Sequence, residues 1–271
     1  MVVVRDLGKR NVIGILVDAV DYEAAVDRIV AAATERRGYA VSALAVHGIM
    51  TGVRDRIHGY RLNHFDLVTP DGQPVRWSLN LLHGTRLTDR VYGPTLMLEI
   101  CAVAAGKGLP IYLYGSTEPV LDRLQTSLRR RFSGLTVAGS EPSKFRRTTA
   151  EEKAEIADRI RSSGAAITFV GLGCPRQEVF AFEYRDALSM PVVAVGAAFD
   201  YHAGVLREPP PFVQRAGLQW LYRLAQEPQR LWKRYTVMNA AYLGRLALQR
   251  LGLARVDPNV AEPPRSEVLY G

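Results

Sequence analysis

Two stretches carry residues whose types and spacing suit chemistry. In Thr69–Trp77 (TPDGQPVRW), Asp71 stands in a Pro-Asp-Gly turn directly after a short apolar run. A partly desolvated carboxylate there can serve as general base toward a hydroxyl, or it can simply close the turn through Asx geometry. The second stretch, Gly171–Phe180 (GLGCPRQEVF), follows the apolar run Ala165–Val170 and leads into a helical segment. Gly171 and Gly173 permit positive φ and close backbone approach, and Pro175 suits a first helical turn. A strand, a glycine turn and a helix N-terminus present free N–H groups and a positive dipole end to one crevice, which suits an anion. Arg176, Gln177 and Glu178 project toward it, unless they only cap the helix. Asp200, in the loop Gly196–Asp200 (GAAFD), is either a loop acid or a hydrogen-bonding group for a nucleotide.

Several chemistries are disfavoured. There is no GxxxxGK[ST] loop, no GxGxxG turn after the first strand and no Gly-x-Ser-x-Gly elbow. His47, His58, His64, His83 and His202 show no paired ligand spacing, and no Asp-x-Asp pair is present to hold Mg²⁺ against a diphosphate. No metal is expected, so a bound phosphate would be held by N–H groups and arginines.

The elements that must position these residues alternate. Apolar runs at Val12–Val17, Ala40–Val46, Phe65–Thr69, Pro110–Gly115, Leu135–Ala138, Ala165–Val170 and Pro191–Gly196 read as strands. Helical patterns fill the intervals: Asp21–Glu35, Ile49–Tyr60, Gln73–Leu82, Thr95–Ala105, Glu118–Phe132, about Thr149–Ser162 and Phe180–Leu188. Continuous rather than alternating apolar strands mark a parallel sheet covered on both faces, an α/β fold whose ligands sit at the carboxyl ends of the strands. The turns at His47-Gly48, Pro70–Gly72, Gly115-Ser116, Gly171–Gln177 and Gly196–Gly204 all fall there.

The chain of 271 residues carries a net charge of +8, unevenly placed. Between Val205 and Arg255 stand nine basic and two acidic residues, and the rest is close to neutral. After the hinge Pro209–Pro211, Trp220, Leu221, Trp232, Tyr235, Tyr242 and Leu243 interleave with arginines. Such a segment is either a membrane-surface appendage or a helical hairpin packed on the core with a solvated basic face. The division expected is a catalytic domain over 1–208, a helical appendage over 209–255 and a loose tail over 256–271. Two distant cysteines, no apolar leader and no long apolar run point to a cytoplasmic protein. A basic nucleic-acid-binding protein and an oxidoreductase of similar fold remain as alternatives on these grounds.

The motifs TPDGQPVRW, YGPTLM (Tyr92–Met97), YLYGS (Tyr112–Ser116), GLGCPRQE, AVGAAFDYHAG (Ala194–Gly204) and RAGLQWLYRLAQEPQRLWKRY (Arg215–Tyr235) occur in this order. Together they resemble the WecG/TagA/CpsF glycosyltransferases, glycosyltransferase family 26, over about Asn11 to Tyr242. The resemblance implies a Rossmann-like, inverting, metal-independent enzyme. It would move a sugar from a UDP-sugar to a polyprenyl-diphosphate-linked sugar, at the inner face of the bacterial membrane, for a cell-surface polysaccharide. It implies Asp71 as base, Gln177 as a positioning residue, and Gly115, Ser116, Gly171, Gly173, Pro175, Arg176 and Asp200 around the nucleotide. Arg215, Arg223, Arg230 and Arg234 would grip the lipid diphosphate; self-association is implied as well, and nucleic acid is not. One departure stands out: where the family commonly has an Asn in a Thr-x-Asn-like turn, this chain has Ala45-Val46-His47. His47 either replaces that amide, shares acid–base work, or caps the helix.

Overall fold

A computed structural model describes residues 5–210, 212–213, 217–254 and 256–271. Six parallel strands form the central sheet: β3 (Tyr39–Leu44), β4 (Leu67–Pro70), β5 (Ile111–Gly115), β6 (Val137–Glu141), β7 (Ile167–Gly171) and β8 (Pro191–Ala194). Their spatial order is β4-β3-β8-β7-β5-β6, every pair parallel. Neighbouring residues of one strand enter opposite cores. Tyr112, Tyr114, Val170 and Val192 pack on one face, whereas Ile111, Leu113, Phe169 and Val193 pack on the other. This two-sided burial is why the strands read as unbroken apolar runs. On the first face Tyr114, Phe180 and Tyr184 stack in series, with ring centroids 4.5 and 3.8 Å apart.

The expected strand over Val12–Val17 is instead the hairpin of β1 (Asp6–Val12) and β2 (Ile15–Val20), antiparallel and separate from the main sheet. Ile13 and Gly14 both take positive φ at its turn, and Asn11 Oδ1 accepts from the Gly14 N–H at 2.8 Å. A two-residue turn of this hand suits the twist of a hairpin. Buried Asp18 ties the hairpin inward, accepting from Arg28 Nη1 at 2.9 Å and from the Val68 N–H at 2.8 Å.

The helices are α1 (Tyr22–Thr34), α2 (Val46–Arg54), α3 (Arg56–Asn63), α4 (Gln73–His83), α5 (Gly93–Lys107), α6 (Glu118–Arg131), α7 (Ala150–Ser162), α8 (Arg176–Leu188) and α9 (Ala198–His202). The single helix expected over Ile49–Tyr60 is broken at Asp55, whose carboxylate caps α3 through the Ile57 and His58 N–H groups. The C-terminal segment holds α10 (Gln219–Gln226) and α11 (Pro228–Arg250). The latter packs on the body: Tyr242 is buried, its hydroxyl 2.6 Å from Ser78 Oγ, and Gln249 Oε1 accepts from the Ile13 N–H at 2.8 Å.

The loose tail expected after Val256 runs back over the catalytic body. Asn11 Nδ2 donates to the Val256 carbonyl at 2.7 Å, the Glu183 carboxylate accepts from the Val268 and Leu269 N–H groups, and Thr148 Oγ1 donates to the Leu269 carbonyl. Its prolines do not loosen it, because its backbone finds partners on α3, α8 and the loop before α7.

Candidate functional site

The carboxyl ends of β3, β4, β5, β7 and β8 meet around one cleft of about 510 Å³. The strand order explains its position. The chain leaves β4 at one edge and crosses to β5 on the far side, and such a reversal leaves a crevice outside the strand ends. Asp71, His47, Ser116, Gly171, Gly173, Gln177 and Asp200 all line the cleft. Gly115, Pro175 and Arg176 are not among its lining residues; the Arg176 guanidinium lies over the Tyr270 ring instead, 5.7 Å from its centroid. Arg215 lies outside the described residues, as do the side chains of Arg223, Arg230 and Arg234.

The helix starts differ in their caps. Helices α1, α3 and α7 carry side-chain caps from Asp21, Asp55 and Thr149, none of which lines the cleft. Helices α2, α4, α6 and α8 have no side-chain bond from their N-cap residues, and α5 has its first N–H on Asp71; the first residues or N-caps of all five reach the cleft wall or its immediate border. Five helix dipole ends thus turn toward one volume, an environment that favours an anion.

Half-buried Asp71 follows β4, with its own N–H on the Leu44 carbonyl and its Oδ1 accepting from the Gly93 N–H at 3.2 Å. It is therefore held against the start of α5. Beside it are two residues to which the sequence reading gave no role. Arg90 is 7 % exposed and lines the cleft, its guanidinium over the Tyr92 ring at 4.3 Å with no acidic partner among the described residues. Burial raises the Tyr92 hydroxyl far above its ordinary pKa, and Tyr201 and Asp71 add to the effect. The signal for Arg90 was its place just ahead of Tyr92-Gly93-Pro94, which starts α5.

Across the cleft, Gln177 Nε2 donates to Glu178 Oε1 at 2.9 Å, while Gln177 Oε1 is buried without a hydrogen-bond partner. Ser42 Oγ donates to the same Glu178 oxygen at 3.2 Å. Complete burial raises the Glu178 carboxyl pKa, against these hydrogen bonds. The β5 and β7 turns touch backbone to backbone. Gly115 has φ +112°, and a Cβ there would lie 2.8 Å from the Gly171 carbonyl, so only glycine fits. Ser116 follows with positive φ, its N–H donating to the Gly171 carbonyl at 3.0 Å.

His47 occupies the first turn of α2, with Nδ1 3.1 Å from Met238 Sδ of α11. Gln219, Trp220 and Asn239 also line the cleft, so α10 and α11 supply part of its wall. The described exposed apolar side chains include Leu221, Trp232, Val237, Leu243, Leu251 and Leu253 of the same segment. No described helix is long and apolar enough to cross a membrane.

The sequence model of the Glycosyl transferase WecG/TagA/CpsF family matches residues 10–256, from the end of β1 through the whole central sheet and both C-terminal helices. With a parallel six-stranded Rossmann-like sheet, an anion-favouring cleft and this match, the chain belongs to the WecG/TagA/CpsF family of glycosyltransferases.

Proposed function

We propose that the protein transfers a sugar, with inversion, from a UDP-sugar to a polyprenyl-diphosphate-linked sugar during synthesis of a bacterial cell-surface polysaccharide. The observation that carries this reading is the placement of Asp71 in a cleft rimmed by helix starts, its carboxylate on the first N–H of α5. Asp71 takes the proton of the acceptor hydroxyl, whose oxygen attacks the anomeric carbon as the bond to the UDP oxygen breaks on the opposite face. Charge then develops on the departing diphosphate. Gly171, Gly173 and the Ser116 side chain, with Asp200 nearby, hold the nucleotide, and arginine is the cation suited to the phosphates. Arg90, a buried cation at the cleft wall, is assigned to an anionic group of donor or acceptor. Gln177 orients a sugar through its unpartnered Oε1, and His47 stands in for the family's amide as a hydrogen-bond donor.

Peripheral docking at the inner membrane face is supported by the exposed apolar side chains of the C-terminal segment and its excess of basic residues. Each basic residue near an anionic leaflet contributes about 1 kcal/mol. We assign Arg215, Arg223, Arg230 and Arg234 to the acceptor diphosphate on their place in this segment.

A UDP-sugar panel with a short-chain polyprenyl-diphosphate sugar tests the reading, with UDP release as the readout. One donor is expected to turn over without added Mg²⁺ or Mn²⁺, giving product of the opposite anomeric configuration. Turnover of no UDP-sugar, or a strict need for either cation, would overturn it.

A further inference from the structure

Behind the cleft wall, α3 meets the turn between β7 and α8. One ligand atom each of His58, Cys174 and Glu178 lie within 4.8 Å of one another. His58 is 2 % exposed, and neither of its ring nitrogens has a hydrogen-bond partner. Glu178 is 1 % exposed, and its Oε2 likewise lacks one. Buried polar side chains are ordinarily satisfied, so an imidazole orphaned at both nitrogens beside an orphaned carboxylate oxygen calls for a further partner. Three polar groups converging on one point can seat a water or a cation, and a thiol with an imidazole and a carboxylate is a donor set suited to a soft cation.

We propose that His58, Cys174 and Glu178 bind a single Zn²⁺ ion, with a fourth coordination position open to the cleft. Thiolate and imidazole ligands select Zn²⁺ over Mg²⁺ or Ca²⁺, which prefer all-oxygen sets. Ligand atoms around tetrahedral zinc stand about 3.5 Å apart, so closing the site takes a side-chain shift of about an ångström. Cys174 and Glu178 both line the cleft and His58 does not, which leaves the cleft side for the fourth ligand. Cys174 sits in the turn whose glycines are assigned to the nucleotide, but the zinc site uses side chains alone and does not depend on that assignment. Its effect is to clip α3 to the β7–α8 turn. It also fixes the carboxylate whose Oε1 holds the Gln177 amide at 2.9 Å.

Full-length protein, stripped with chelator and desalted, would be titrated with Zn²⁺ against a chromophoric chelator and, separately, with Co²⁺. One equivalent of Zn²⁺ is expected, and Co²⁺ should give a thiolate-to-cobalt charge-transfer band. Cys174→Ser should abolish that band, and His58→Gln should weaken Zn²⁺ binding by roughly tenfold or more; Cys101→Ser, in the opposite core, should change neither. If Cys174→Ser does not fold, Zn²⁺ should still protect Cys174 of the native chain from alkylation, read by mass spectrometry. Absence of stoichiometric binding, a band that survives Cys174→Ser, affinity indifferent to His58→Gln, or no protection of Cys174 would each overturn the site.

Discussion

Met238 Sδ stands 3.1 Å from His47 Nδ1, so the long C-terminal helix touches the first turn of α2 where that turn borders the cleft. The thioether is a weak acceptor for an imidazole N–H. A donor at this point is what the family's amide would provide. His47→Asn is therefore expected to keep transfer within a few-fold, while His47→Ala loses roughly 10–100-fold, the worth of a hydrogen bond to a charged group. Steady-state kinetics with both variants check this. Equal losses in the two would assign His47 to acid–base work.

Asp71→Asn preserves an oxygen for the Gly93 N–H but cannot accept a proton. Transfer should fall by roughly 10²–10⁴-fold, while UDP affinity, followed by calorimetry, stays near that of the native enzyme. Retained turnover would remove Asp71 from the mechanism.

Glycines of the chain answer differently to a methyl group. Gly115→Ala must place its Cβ 2.8 Å from the Gly171 carbonyl at a positive φ, and a loss of about 2 kcal/mol or more is expected. Gly106, in the last turns of α5, has open space around it, so Gly106→Ala should gain about 0.5–1 kcal/mol. Paired denaturant titrations of the two variants test the contrast.

Leu251 and Leu253 are 70 % and 72 % exposed just past α11. Replacing both with Ser removes apolar area that would otherwise enter a bilayer surface, and binding to anionic vesicles should weaken by at least roughly tenfold. Co-sedimentation measures this, with circular dichroism confirming an intact fold. Undiminished binding would move the docking face elsewhere.

Burial lowers the pKa of His202 below its ordinary value, partly opposed by its Nε2–H donating to the Pro94 carbonyl at 2.9 Å. Below about pH 6.5 the unfolded chain takes up a proton at this position that the native state refuses, so stability falls as pH drops. His202→Gln keeps a donor for Pro94 and does not titrate. Its melting temperature should decline less than that of the native chain between about pH 7.5 and about pH 5.5. An identical decline would show that His202 does not contribute.

Much of the fold was legible because both faces of a parallel sheet are buried, which makes each strand an unbroken apolar word between polar turns. The hairpin was not, since its turn hides inside such a run: Ile13 and Gly14 bend a stretch whose composition reads as straight. The break at Asp55 was likewise masked by helical pattern on both sides. For the cleft, turn residues such as Asp71 and Gly171 could be placed by their position after strands. Arg90 and His58 could not, because burial of an arginine or a histidine depends on elements distant in sequence. The tail misled through its prolines, whose neighbours' backbone groups are satisfied far from their own position.

The grip of Gln249 on the Ile13 N–H and of Tyr242 on Ser78 makes the C-terminal helices part of the same cooperative unit as the hairpin and α4. Cutting the chain ahead of α10 would strip a wall from the core, so loss of activity in a truncation would report collapse as readily as lost docking. Grafting the segment of one relative onto the body of another would for the same reason succeed only if positions 78, 242 and 249 keep matching side chains.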